Sequence, residues 1–106
     1  MGNIGVTMKK DEPEVSCANL LKILADDTRL DVVRQLMSGP RHVGELNASI
    51  PIDQSLLSHH LKILREAGIV TAARDGKAVL YRLAPSVESR RKGKGINLGC
   101  CVISFE

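Results

Sequence analysis

The sequence is poor in aromatic residues: Tyr81 and Phe105 are the only two, and tryptophan is absent. Binding of single strands or RNA by base stacking needs aromatic platforms, so this shortage argues against that mode. Long apolar runs are lacking too. No stretch approaches the ~18 residues that span a bilayer, and no secretory pattern opens the chain. The expectation is a cytoplasmic protein without a membrane partner, its thiols reduced. Cysteine is sparse as well, with Cys17, Cys100 and Cys101 as the full set. In a reducing compartment such thiols are ligands, redox groups or core fillers before they are structural disulfides.

What the chain does have is charge, unevenly spread. The formal net charge is +3, yet residues 1–53 hold six Lys/Arg against eight Asp/Glu while residues 54–95 hold nine against three. A basic half on a chain long enough for one domain is a candidate polyanion-binding face, with an ordinary solvated surface as the alternative. A domain of this size buries a modest share of its surface, and small DNA-binding folds often answer by pairing with a copy of themselves.

Residues 1–13 show no periodicity and read as a loose arm. From Glu14 a helical pattern starts, with Cys17, Leu20, Leu21 and Leu24 on one stripe. Asp26 stands where an N-cap belongs, and a second helix follows through Leu30, Val33 and Met37 until Ser38-Gly39-Pro40 stops it. Val43, Leu46 and Ile50 suggest a short third helix. After a turn at Pro51-Ile52-Asp53, with Asp53 or Ser55 as cap, a fourth helix runs from Gln54 to Ala67 on the stripe Leu57, Leu61, Leu64. Gly68 ends it as a left-handed cap would. The pattern then becomes alternating. The runs Ile69–Arg74 and Lys77–Leu83 flank Asp75-Gly76, which predicts a hairpin closed by a type I′ turn. Ser86 is a candidate cap for a short fifth helix within 84–95. The organisation is an arm (1–13), a mainly α domain with a β-hairpin (14–92), and a Cys-containing tail (93–106).

On the fourth helix, Gln54, Ser55, Ser58, His59 and Lys62 provide donors and acceptors away from the leucine stripe. Such side chains suit base edges and phosphates in a major groove. The short helix and tight turn before them make a helix-turn-helix, whose second helix enters the groove. Arg74, Lys77 and Arg82 place positive charge on the hairpin, where a wing would touch the flanking backbone of duplex DNA.

Three stretches, Leu24-Ala25-Asp26-Asp27-Thr28-Arg29-Leu30, then Gln54 through Val70 (QSLLSHHLKILREAGIV), then Arg74-Asp75-Gly76-Lys77 with Tyr81-Arg82-Leu83, together resemble the ArsR/SmtB-type repressors over roughly residues 17–83. Asp27 departs from the pattern, where Pro is common. The resemblance implies a winged helix-turn-helix homodimer that leaves its operator when an inducer binds. It also implies that His60 packs inward and His59 faces the groove.

The cysteines are the remaining signal. Soft thiolates suit trivalent arsenic or antimony, which prefers three of them in a pyramid. Adjacent Cys100 and Cys101 offer two sulfurs. Cys17 is the candidate third, because the resemblance puts the first helix and the C-terminal segment together at the dimer interface. Cys17 also lies on an apolar stripe, so a filling role stays open. Two other sensor sites of the family find no support: His42, Gly44 and Asn47 stand where one type has cysteines, and residues 84–106 lack the histidines of the zinc type. The expectation is As(III) or Sb(III) as inducer, with no organic cofactor; a methylarsenite sensor and a thiol redox or persulfide sensor are alternatives. An enzyme is not expected, because the tail lacks the Arg and Gly-rich loop that an oxyanion-handling cysteine requires.

Overall fold

A computed structural model of the chain describes residues 16–89 and 95–105. The arm read at 1–13, Glu14, and the basic residues Arg90, Arg91, Lys92 and Lys94 lie outside the described residues. Helix α1 (Cys17–Leu24) begins where Ser16 accepts the backbone N–H of Asn19 at 3.1 Å. Asp26 caps α2 (Asp27–Met37) as expected, its Oδ1 accepting the N–H of Arg29 at 3.0 Å. That bond holds the Asp26 carboxyl below the usual carboxylate range.

The short helix α3 (Val43–Ser49) follows a strand that periodicity did not reveal, β1 (Arg41–His42). Two residues carry no period, so β1 is defined only by its partner. In α3, Leu46 is fully buried, and Ile50 beyond it closes the helix with an N–H donated to Leu46 at 2.8 Å. Asn47 then fixes the turn, its Nδ2 donating to the carbonyls of Ile50 and Ile52, both at 2.9 Å.

Helix α4 (Gln54–Glu66) buries Leu57, Leu61 and Leu64 completely. Its end is a Schellman cap: Gly68 has φ +79°, its N–H donates to Arg65, and Ile69 donates to Leu64. Strands β2 (Val70–Asp75) and β3 (Ala78–Leu83) form the hairpin, and β1 adds antiparallel to β3 to give the order β1-β3-β2. The turn differs from expectation. Asp75 pairs with Ala78, so the loop is Gly76-Lys77, and only Gly76 has positive φ, at +66°. Glycine first with a negative φ after it is the type II′ pattern, not type I′.

Helix α5 (Pro85–Ser89) starts at Pro85, so Ser86 lies inside it and does not precede it as a cap. Proline suits a first helical position because its missing N–H would have no intrahelical partner. The tail folds into a second antiparallel hairpin, β4 (Gly95–Asn97) with β5 (Val102–Ser104). Its Ile96 is fully buried in the same core as Leu36, Leu61 and Leu83. Burying each such side chain contributes roughly 1.5–3 kcal/mol. The architecture is a mainly α body with a hairpin wing after a helix-turn-helix, as expected.

Candidate nucleic-acid interface and thiol cluster

The alternation of leucine and polar residues in α4 sets which side faces outward. With Leu57, Leu61 and Leu64 committed to the core, Gln54, Ser55, Ser58, His59 and Lys62 are all exposed. Ser55 Oγ donates to the Asp53 carboxylate just before the helix, which holds that carboxyl below its usual range. On the wing, Arg74, Lys77 and Arg82 are exposed. All eight residues singled out in the sequence therefore lie on the surface of the α4–wing unit.

The two adjacent histidines part company, as the resemblance implied. His59 is exposed, whereas His60 is buried at 8% exposure beside the leucine stripe. A polar ring there needs a partner, and Arg29 of α2 supplies it. Arg29 Nε donates to His60 Nδ1 at 3.0 Å, and the same guanidinium donates through Nη1 to the Ile23 carbonyl at 3.0 Å. Because Nδ1 accepts, the ring is the neutral form with its proton on Nε2. Burial pushes the His60 pKa down, which agrees. One arginine thus ties the end of α1, the start of α2 and the middle of α4. Sequence reasoning missed this knot; Arg29 was visible only as a letter in the family-like stretch.

His42 is the second residue whose role was missed. Its backbone N–H donates to Glu45 Oε1 at 2.7 Å, a helix-start bond. Its ring Nδ1 lies 3.2 Å from the same oxygen, and Nε2 lies 2.8 Å from Asp75 Oδ2 at the wing tip. The hydrogen bond to Asp75, reinforced by Glu45, raises the His42 pKa.

The three cysteines come together although Cys17 and Cys100 are 83 residues apart. Cys17, at the first turn of α1, is 5% exposed; Cys100 and Cys101, in the β4–β5 connection, are half-buried. The structure records a Cys17–Cys100 disulfide, with Cα atoms 5.9 Å apart, inside the range such a bond requires. This differs from the reduced thiols expected from composition. Cys101 is free, with its Sγ 3.9 Å from that of Cys100. All three sulfurs lie within 4.8 Å of one another. Once reduced, such a set has the number, softness and spacing to hold one large soft ion within a single protomer. Phe105, beyond β5, lies under the Arg34 guanidinium of α2 at 5.7 Å, which also fastens the tail hairpin to the helical body.

Comparison with known proteins agrees with the winged helix-turn-helix architecture. Residues 26–72 match the model of the bacterial regulatory protein arsR family. The HTH-type transcriptional repressor SmtB of Mycobacterium tuberculosis is 46% identical over 69 residues, covering 65% of this chain and 51% of that protein. The chain thus spans about half the length of that relative. The biofilm growth-associated repressor of Agrobacterium fabrum is 46% identical over 83 residues, covering 78% of this chain and 69% of that one. Among solved structures, the homodimeric winged helix-turn-helix DNA-binding domain of a possible ArsR-family regulator from Mycobacterium bovis superposes with a TM-score of 0.63 at 30% identity, covering 69% of this chain and 68% of that one.

Proposed function

Because the chain belongs to the arsR family of bacterial regulatory proteins, we propose that it is a homodimeric transcriptional repressor that binds operator DNA and releases it when As(III) or Sb(III) occupies Cys17, Cys100 and Cys101. The observation that carries the reading is the convergence of three sulfurs within 4.8 Å at the joint between α1 and the tail hairpin. Arsenous acid exchanges its three hydroxyl groups for the three sulfurs and releases three waters. The bound ion then ties the tail to α1, where the family resemblance puts the dimer contact. A shift there changes the spacing of two recognition helices that must match half-sites one helical turn apart. Gln54, Ser55, Ser58, His59 and Lys62 read the groove, while Arg74, Lys77 and Arg82 hold the flanking phosphates.

The test is a DNA-binding titration of the reduced dimer with arsenite, antimonite, methylarsenite, zinc and cadmium on one sample. Arsenite or antimonite should lower affinity on the order of five- to 150-fold, the usual span of such coupling. Cys100→Ser and Cys101→Ser should bind DNA normally and ignore arsenite. Release from either variant on arsenite addition rules the pair out as the sensor.

The Cys17–Cys100 bond favours a second reading, a thiol switch. Here the two thiols lose two protons and two electrons to an acceptor such as hydrogen peroxide, which leaves as two waters. The variants separate the readings: Cys101→Ser keeps this pair and should still respond to peroxide while losing arsenite, whereas Cys100→Ser should lose both.

A further inference from the structure

We propose that His42 is a positioning residue for DNA binding, which as an imidazolium holds the wing-tip carboxylate of Asp75 against the start of α3 and cancels its charge beside the phosphate backbone. The inference rests on the reading of the α4–wing unit as a duplex-DNA surface.

The wing carries three cations, Arg74, Lys77 and Arg82, and a single acidic residue, Asp75, at its tip. A lone carboxylate there opposes association with a polyanion. Asp75 does not spend the wing's own cations: among the described residues no ion pair involves Arg74 or Lys77. It reaches instead across 33 positions to His42 Nε2, 2.8 Å away. The other ring nitrogen faces Glu45 Oε1 at 3.2 Å. Both neighbours are carboxylate oxygens and accept only, so the ring satisfies both when each nitrogen carries a proton. A neutral ring would turn one lone pair toward a carboxylate. The geometry therefore selects the cation, and the raised pKa of His42 has the same cause.

The charged groups facing His42 are Glu45 of α3 and Asp75 of β2, with Arg41 beside it on β1; its register partner on β3, Leu80, is apolar. Only two residues of β1 pair with the wing, Arg41 with Tyr81 and His42 with Leu80. The His42–Asp75 bond adds a tether near the loop, where the wing is farthest from the core. Acidification protonates His42, engages this clamp and removes the repulsion, so DNA affinity rises as pH falls.

The test measures affinity of the full chain for a duplex that the wild-type protein selects from a random library, from about pH 6 to about pH 8.5, the range in which histidine titrates. Wild type should bind on the order of fivefold more tightly at the acid end, the lower bound of ordinary coupling. His42→Gln should lose most of that gain. Asp75→Asn should bind at the alkaline end about as well as wild type does at the acid end, and in its background His42→Gln should have no further effect. A merely structural role predicts instead an equal loss at every pH, which overturns the proposal, as does an effect of His42→Gln that persists undiminished in Asp75→Asn. Wild type without salt-sensitive affinity for any duplex sinks the DNA-binding reading and this inference together. Binding with an unaltered pH profile in His42→Gln sinks this inference alone.

Discussion

His42 and His60 show how differently one residue type behaves in this molecule. His60 accepts a proton-bearing guanidinium at Nδ1 and sits in the core, so its folded-state pKa lies below the ordinary value. Between the two values the unfolded chain binds a proton that the folded chain does not, and stability rises with pH. Acidification from about pH 7 to about pH 5 should therefore cost stability through His60. His60→Asn, which keeps an acceptor and does not titrate, should flatten that part of a urea-midpoint profile. His42 has the opposite sign: its pKa is raised, so its contribution is present in acid and lost as pH rises through the folded value. Arg29→Met should strand the His60 acceptor and the Ile23 carbonyl, destabilising the fold by about 1–3 kcal/mol in equilibrium unfolding. None of these partnerships was legible beforehand. Arg29 and His60 stand 31 residues apart and His42 and Asp75 stand 33 apart, and no local pattern encodes such a meeting.

Elements were legible where a repeating signal ran long enough. The stripe Leu57, Leu61, Leu64 with Gly68 behind it located α4 to within a residue, because 13 residues give the 3.6-residue period room to show. Asp26 located α2 through the chemistry of its cap. The wing was legible as a hairpin, but its turn moved by one position. The Asp-Gly pair signals a turn without saying which residue is its first, and the ladder continues through Asp75. The three-residue strands β4 and β5 escaped, since an alternation needs more than three residues to stand out from chance. Their hairpin depends on one close approach: a Cβ at Gly95 would lie 2.8 Å from the Ile103 carbonyl oxygen. Gly95→Ala should destabilise the protein by about 1–3 kcal/mol, the usual cost of forcing extra volume into a packed site. Hydrogen exchange at Ile96 and Ile103 should accelerate, while α4 amides far along the chain keep their protection.

At the scale of the whole molecule, the thiol cluster was legible as a set of candidates but not as a place. The sequence offered Cys100 and Cys101 as neighbours; only the fold returns the tail to the first turn of α1 and buries Cys17 beside them. Binding across the α4–wing unit should show the salt dependence of a polyanion contact, and Lys62→Ala should lower the slope of log affinity against log salt by about 1. Reduction of the Cys17–Cys100 bond should lower unfolding free energy by about 2–4 kcal/mol, as seen by urea titration with and without reductant. That bond joins the first turn of the first described helix to the turn of the last hairpin. Whatever joins sulfur to sulfur there, oxidant or ion, turns an open string into a closed ring with the recognition helix and wing strung along it. The elements from α1 to β4 lie between the two joined residues, inside that ring.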